Sequence, residues 1–106
     1  MQCSSCDDVQ LVIVDGRPAV RGECDLANAE RIERWLDTFD GDPLEIDLSG
    51  VTFFDATALR SLLHVRRRNP RSRVVLPSNA VLRVLELTDT VDYLVDGQDL
   101  SRNASR

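Results

Sequence analysis

In the stretch "LSGVTFFDATALRSLL", Leu48 to Leu63, an aspartate and a small hydroxyl residue, Asp55 and Thr57, sit between alanines where an apolar run meets a helical one. A carboxylate at that place accepts hydrogen bonds from the first amides of the helix. A hydroxyl in the first turn offers a different chemistry. A helix N-terminus tolerates an added anion, so a phosphate on Thr57 would leave the fold standing and change the surface. A plain cap followed by a first-turn residue accounts for the same pattern without any function, and the residues alone leave both readings open.

Other chemistry-bearing residues are sparse. Cys3 and Cys6 form a CxxC near the N-terminus, but no second Cys or His pair stands at ligand spacing, and a redox CxxC opens a helix after a strand rather than preceding the first strand. With Cys24 the cysteines number three, an odd set for a disulfide framework. His64 is the single histidine and has no nucleophile or orienting acid at recognisable spacing. Neither "DGDP" nor "LSGV" has the spacing of a glycine-rich phosphate loop. The chain is therefore expected to be no enzyme, with no catalytic residue, no metal and no cofactor. The basic cluster "HVRRRNPRSR", His64 to Arg73, reads as a solvated helix end favoured by the helix dipole, or as a contact for an acidic partner surface or a phosphate.

Composition narrows the class. A chain of 106 residues that is 42% hydrophobic suits one compact domain. Its net charge of −5 argues against direct nucleic-acid binding, which needs a dominant basic surface. No apolar run reaches the roughly 20 residues of a membrane helix, and "MQCSSCDDVQ" lacks the basic start and apolar stretch of a signal peptide. The expectation is a cytoplasmic protein without membrane insertion. All 13 basic residues are arginine, which hints at a GC-rich bacterial genome.

The elements that would hold Asp55 and Thr57 follow from periodicity. "VQLVIVDGRPAVRGEC" holds two β-rich runs around Asp15-Gly16, a hairpin signal, and Pro18 puts the second run near an edge or delays its start. Ile32, Trp35, Leu36 and Phe39 fall on one helical stripe, ended by "DGDP". Leu44, Ile46 and Leu48 alternate with Glu45 and Asp47, which predicts a half-buried strand followed by a turn at Ser49-Gly50. Leu59, Leu62 and Leu63 carry a second helix to Asn69, where Pro70 stops it. "RVVLP" reads as a short strand, Ser78 or Asn79 as the cap of a third helix with Val81, Leu82 and Leu85 inward, and "YLV" as a last strand. Of the adjacent Phe53 and Phe54, one must face away from the core. The fold class is α/β, with helices packed on a small mixed sheet.

Three blocks, "RGECDLANAERIERWL", "LEIDLSGVTFFDATALRSLL" and "LRVLELTDTVDYLV", resemble the signature blocks of the STAS domain family, over Val9 to Val95. That resemblance implies one STAS domain over 9–95; the residues outside it, 1–8 and the polar 96–106 without apolar spacing, read as flexible tails, and the polar tail implies that the last family helix is absent. The anti-sigma factor antagonist branch has Asp-Ser-Ser-Gly at the junction and is phosphorylated on the second serine. Here Thr57 keeps the hydroxyl, while Ala56 and Ala58 replace serine and glycine. By resemblance, the chain binds a kinase-type anti-sigma factor and releases a sigma factor for transcription, as a monomer or weak dimer. Asp25, Phe54, Asp55, Ala56, Thr57, Ala58 and Arg60 are the implied contacts, and Thr57 is the phosphorylation site. The family also offers an accessory subunit of a membrane transport ATPase and a small-molecule sensor module as alternatives.

Overall fold

The computed structural model describes residues 9–41 and 43–95; Cys3, Cys6 and the expected tails lie outside them. Among the described residues there are four strands and four helices. They are β1 (Val9–Val14), β2 (Arg17–Cys24), α1 (Ala29–Leu36), β3 (Leu44–Phe54), α2 (Ala56–Arg68), β4 (Ser72–Pro77), α3 (Asn79–Leu87) and α4 (Val91–Leu94). The sheet order is β1-β2-β3-β4, with β1 antiparallel to β2 and the other two pairings parallel. This is the mixed sheet with packed helices expected from the sequence.

Local chemistry explains the joins. Asp15 and Gly16 both have positive φ, 52° and 79°, as a two-residue hairpin turn matched to strand twist requires. Each parallel pairing needs a crossover, supplied by α1 and by α2. Leu44, Ile46 and Leu48 point from β3 into the core with Val20, Val74, Leu36, Val65, Val81 and Leu85. Glu45 faces the other way and bridges Arg17 and Arg73 across three strands.

Several expectations need correction. No turn forms at Ser49-Gly50. β3 continues through these residues, with its register to β2 shifting between Asp47 and Gly50 and again between Val51 and Phe53, and Gly50 is there for clearance, because a Cβ would come within 2.7 Å of the Arg21 side chain. Pro18 lies in an internal strand, tolerated because the pairing of β2 with β3 starts one residue later, at Ala19. α1 ends at Leu36, short of Phe39, where the Thr38 hydroxyl donates to the Trp35 carbonyl at 2.7 Å. Trp35 and Phe39 are half-buried and meet edge to face at 5.0 Å. The "YLV" run is helical. A short apolar run cannot be told from helix by period, and here Leu94 is buried while the Tyr93 carbonyl accepts Arg66 Nε at 3.3 Å.

The basic cluster also differs from a solvated end. Arg66 is buried with its guanidinium over the Tyr93 ring, 4.8 Å from the centroid. Arg68 pairs with Glu33, at 2.7 Å, and with Asp37. His64 Nδ1 lies 3.3 Å from the Glu33 carboxylate, and Ser61 Oγ donates to the Ala29 carbonyl at 3.1 Å. Burial works to raise the Glu33 carboxyl, but hydrogen bonds from Arg68 and His64 outweigh it and hold it below its ordinary range.

Two tests check this packing. Leu59 is buried on the inward face of α2, so Leu59→Asp should abolish the cooperative thermal transition, since an uncompensated buried charge costs several kcal/mol of the ~5–15 available. Thr57→Ala should move stability by less than about 1 kcal/mol; equal melting temperatures for wild type and Leu59→Asp would refute the assignment of the face. The second test is acid unfolding. A carboxylate with a lowered folded pKa contributes stability that is complete above its unfolded value, about 4.3, and is lost as pH falls through the folded one. Glu33→Gln should therefore flatten the pH dependence of the midpoint below about pH 4, relative to wild type.

Candidate functional site

Cys24 at the end of β2 lies opposite Phe54 at the end of β3, so the turn after each strand emerges on the same edge of the sheet. The Asp55 amide seals this join by donating to the Cys24 carbonyl at 3.2 Å. Sites on sheets with parallel crossovers collect at such carboxyl ends.

Both turns are built by an aspartate. Asp55 has extended backbone, φ −119° and ψ −178°, and its Oδ1 accepts the Ala58 amide at 3.0 Å, the expected N-cap. Asp25 Oδ1 accepts the Ala27 amide at 3.1 Å, while its carbonyl takes the amides of Asn28 and Ala29. Asn28, at the cap position of α1, makes no cap with its side chain. It is buried and donates from Nδ2 to the Glu23 carbonyl at 2.8 Å, tying the turn back to β2.

The helices run side by side in the same direction, because Ser61 reaches Ala29, His64 reaches Glu33, and Arg68 reaches Glu33 and Asp37. Thr57 precedes Ser61 by one turn on the same stripe, which places it beside the Asp25–Asn28 turn. Its side chain is half-buried rather than fully exposed, and its hydroxyl has no hydrogen bond among the described residues. Burial pushes the Cys24 thiol up to about 12, and Asp25 and Asp55 push in the same direction.

Of the expected contacts, Asp25, Asp55, Ala56, Thr57 and Arg60 share this edge, with Ala56 and Arg60 exposed. Phe54 and Ala58 do not belong to its surface. Phe54 is 7% exposed because the β2–β3 register shifts between Val51 and Phe53, which turns it to the same inward face as Val51, and Ala58 is 4% exposed because it packs under the first turn of α2. Phe53, 48% exposed, is the outward member of the pair. Sequence reasoning missed Leu26, 75% exposed in the Asp25 turn. Its signal was an apolar residue inside the otherwise small and polar "CDLAN". Among the described residues no group of three metal-ligating side chains gathers.

Cys24 supplies a direct check on the join. In a Cys3→Ser, Cys6→Ser background, Cys24 should resist a disulfide reagent at pH 8 in the folded state and react fully in denaturant. Rapid reaction of the native protein would show that the β2–β3 end is open.

Comparisons with known proteins bear on the family and the fold. The family model described as "Mlab, STAS domain" matches residues 10–96. An anti-sigma factor antagonist from Mycobacterium paratuberculosis, known from its crystal structure, is 26% identical, covering 81% of this chain and 80% of that one, at a TM-score of 0.64. The STAS domain of an antisigma-factor antagonist from Rhodobacter sphaeroides is 23% identical, over 69% of this chain and 88% of that one, at a TM-score of 0.46. No curated protein matches. With the family model spanning nearly all of the described residues and all three signature blocks, the chain belongs to the STAS domain family.

Proposed function

We propose that this STAS domain is an anti-sigma factor antagonist. Its unphosphorylated form binds a kinase-type anti-sigma factor through the edge formed by the Asp25 turn and the Asp55–Arg60 junction, which releases a sigma factor for transcription. The observation that carries the reading is the placement of Thr57, with a hydroxyl that makes no hydrogen bond among the described residues, beside the Asp25 turn about thirty positions away in sequence. Likeness to the mycobacterial antagonist supports it.

In this reading the chain is the substrate of its partner. The Thr57 oxygen attacks the γ-phosphorus of ATP held by the kinase, the bond to the leaving ADP breaks, and the hydroxyl proton passes to a base on the kinase. Asp55 already occupies the Ala58 amide, and the amides of Ala56 and Thr57 remain to solvate the new phosphate. The fold persists. Binding does not, because ~1.5–2 negative charges join Asp25 and Asp55 in the centre of the contact. No helix among the described residues is long and apolar enough to cross a membrane, and a partner met in the cytoplasm fits this chemistry.

Incubation with the partner and ATP, followed by mass spectrometry, should place phosphate on Thr57. Thr57→Glu should weaken the complex at least ~10-fold, a change of 1.4 kcal/mol, whereas Thr57→Ala should bind like wild type and escape inhibition. Binding without phosphorylation would remove the switch and leave a constitutive antagonist. Absence of binding to any anti-sigma factor, with a transport ATPase captured instead, would replace the reading with that of an accessory subunit.

A further inference from the structure

Beyond Leu48, β3 loses one neighbour. β4 leaves the sheet at Pro77, opposite Leu48, while β3 continues to Phe54 with only β2 beside it. α3 runs along this overhang, yet among the described residues no backbone hydrogen bond joins the two. Between them lies an open groove of about 420 Å³, with Thr52, Phe53 and Phe54 on one wall and Ala80, Arg83 and Val84 on the other. Arg83 is exposed and forms no ion pair among the described residues, unlike Arg17, Arg34, Arg68 and Arg73, each of which faces a carboxylate.

We propose that this groove receives an extended acidic segment of a partner protein, which adds as a strand to the free edge of β3 and places a carboxylate on Arg83. Each part of the occupant follows from one wall. A strand edge with unused backbone amides and carbonyls is satisfied by another extended chain. Phe53, Ala80 and Val84 ask for an apolar side chain in alternate positions of that chain. The uncompensated guanidinium selects a carboxylate, which it can grip with two donors. Glu23, paired with Phe53 across the strands, confines the acidic group to the Arg83 side. Phe53 is followed directly by Phe54 and Asp55, so a segment seated here would be continuous with the Asp55 edge. The groove itself does not depend on Thr57 or on phosphorylation.

The probe is a synthetic hexapeptide alternating valine with aspartate, titrated into the isotope-labelled full chain and followed by amide chemical shifts. Shifts should be confined to Thr52–Phe54 and Ala80–Val84 and should saturate in the millimolar range. Arg83→Glu, a change of an exposed residue that keeps the melting temperature, should weaken the peptide at least ~10-fold, and the valine–lysine counterpart should leave the groove unperturbed. No shift at these residues at saturating solubility would overturn the proposal. So would shifts centred on the outer edge of β1, equal response to the lysine peptide, or an Arg83→Glu titration identical to wild type. None of these outcomes bears on anti-sigma factor binding, so the two readings fail separately.

Discussion

The parallel pairing of β2 with β3 is the constraint from which the rest of the molecule follows. Parallel neighbours cannot be joined by a tight turn, so the chain must leave the end of β2, cross over through α1 and re-enter the sheet at the start of β3. The same demand between β3 and β4 generates α2. Both helices then start at the same edge and run in the same direction over the same face. The Cys24–Phe54 register and the hydrogen bond from the Asp55 amide to the Cys24 carbonyl lock that edge, and every residue of the candidate site hangs from it.

Two helices that run in the same direction align their dipoles unfavourably, and the seam between them is correspondingly polar. Ser61, His64 and Arg68 on α2 meet the Ala29 carbonyl, Glu33 and Asp37 on α1. Arg68 lies in the last turn of α2, where a cation also suits the helix end. Exposed pairs of this kind contribute little individually. Their effect here is to fix the rotation of α2 about its axis, because only one face can satisfy both Glu33 and the buried stripe of Leu59 and Leu62. That rotation is what carries Thr57 to the Asp25 turn.

The charge pattern divides the surface. On the sheet face away from the helices Glu45 sits between Arg17 and Arg73, and the hydrogen bond from Arg73 holds its carboxyl below its ordinary range against the opposing effect of desolvation. In the seam Arg68 pairs with both Glu33 and Asp37. At the carboxyl edge, by contrast, Asp25 and Asp55 use their oxygens on backbone amides, with no guanidinium paired to them among the described residues. A further negative charge is easily held by the fold at that edge, through the helix end, and strongly felt by anything docked there.

The residues themselves determined the local events, since each rests on contacts a few positions apart. Asp15-Gly16 specifies its turn through positive φ, Asp55 and Ser78 cap their helices with the third following amide, Pro70 stops α2, and the alternation of Leu44, Ile46 and Leu48 makes a one-sided strand. The block pattern made the family legible as well. Tertiary structure alone decided what depended on neighbours distant in the chain. Gly50 reads as a turn until the Arg21 side chain is seen lying over it, and "YLV" reads as a strand until it is found helical, with Arg66 above Tyr93. Phe53 and Phe54 are interchangeable in sequence, and the β2–β3 register settles which is buried. The meeting of Asp25 with Thr57 belongs to the same class. A capping aspartate and a first-turn hydroxyl are local facts, but their proximity is a property of the sheet order and of the angle at which α2 lies against α1.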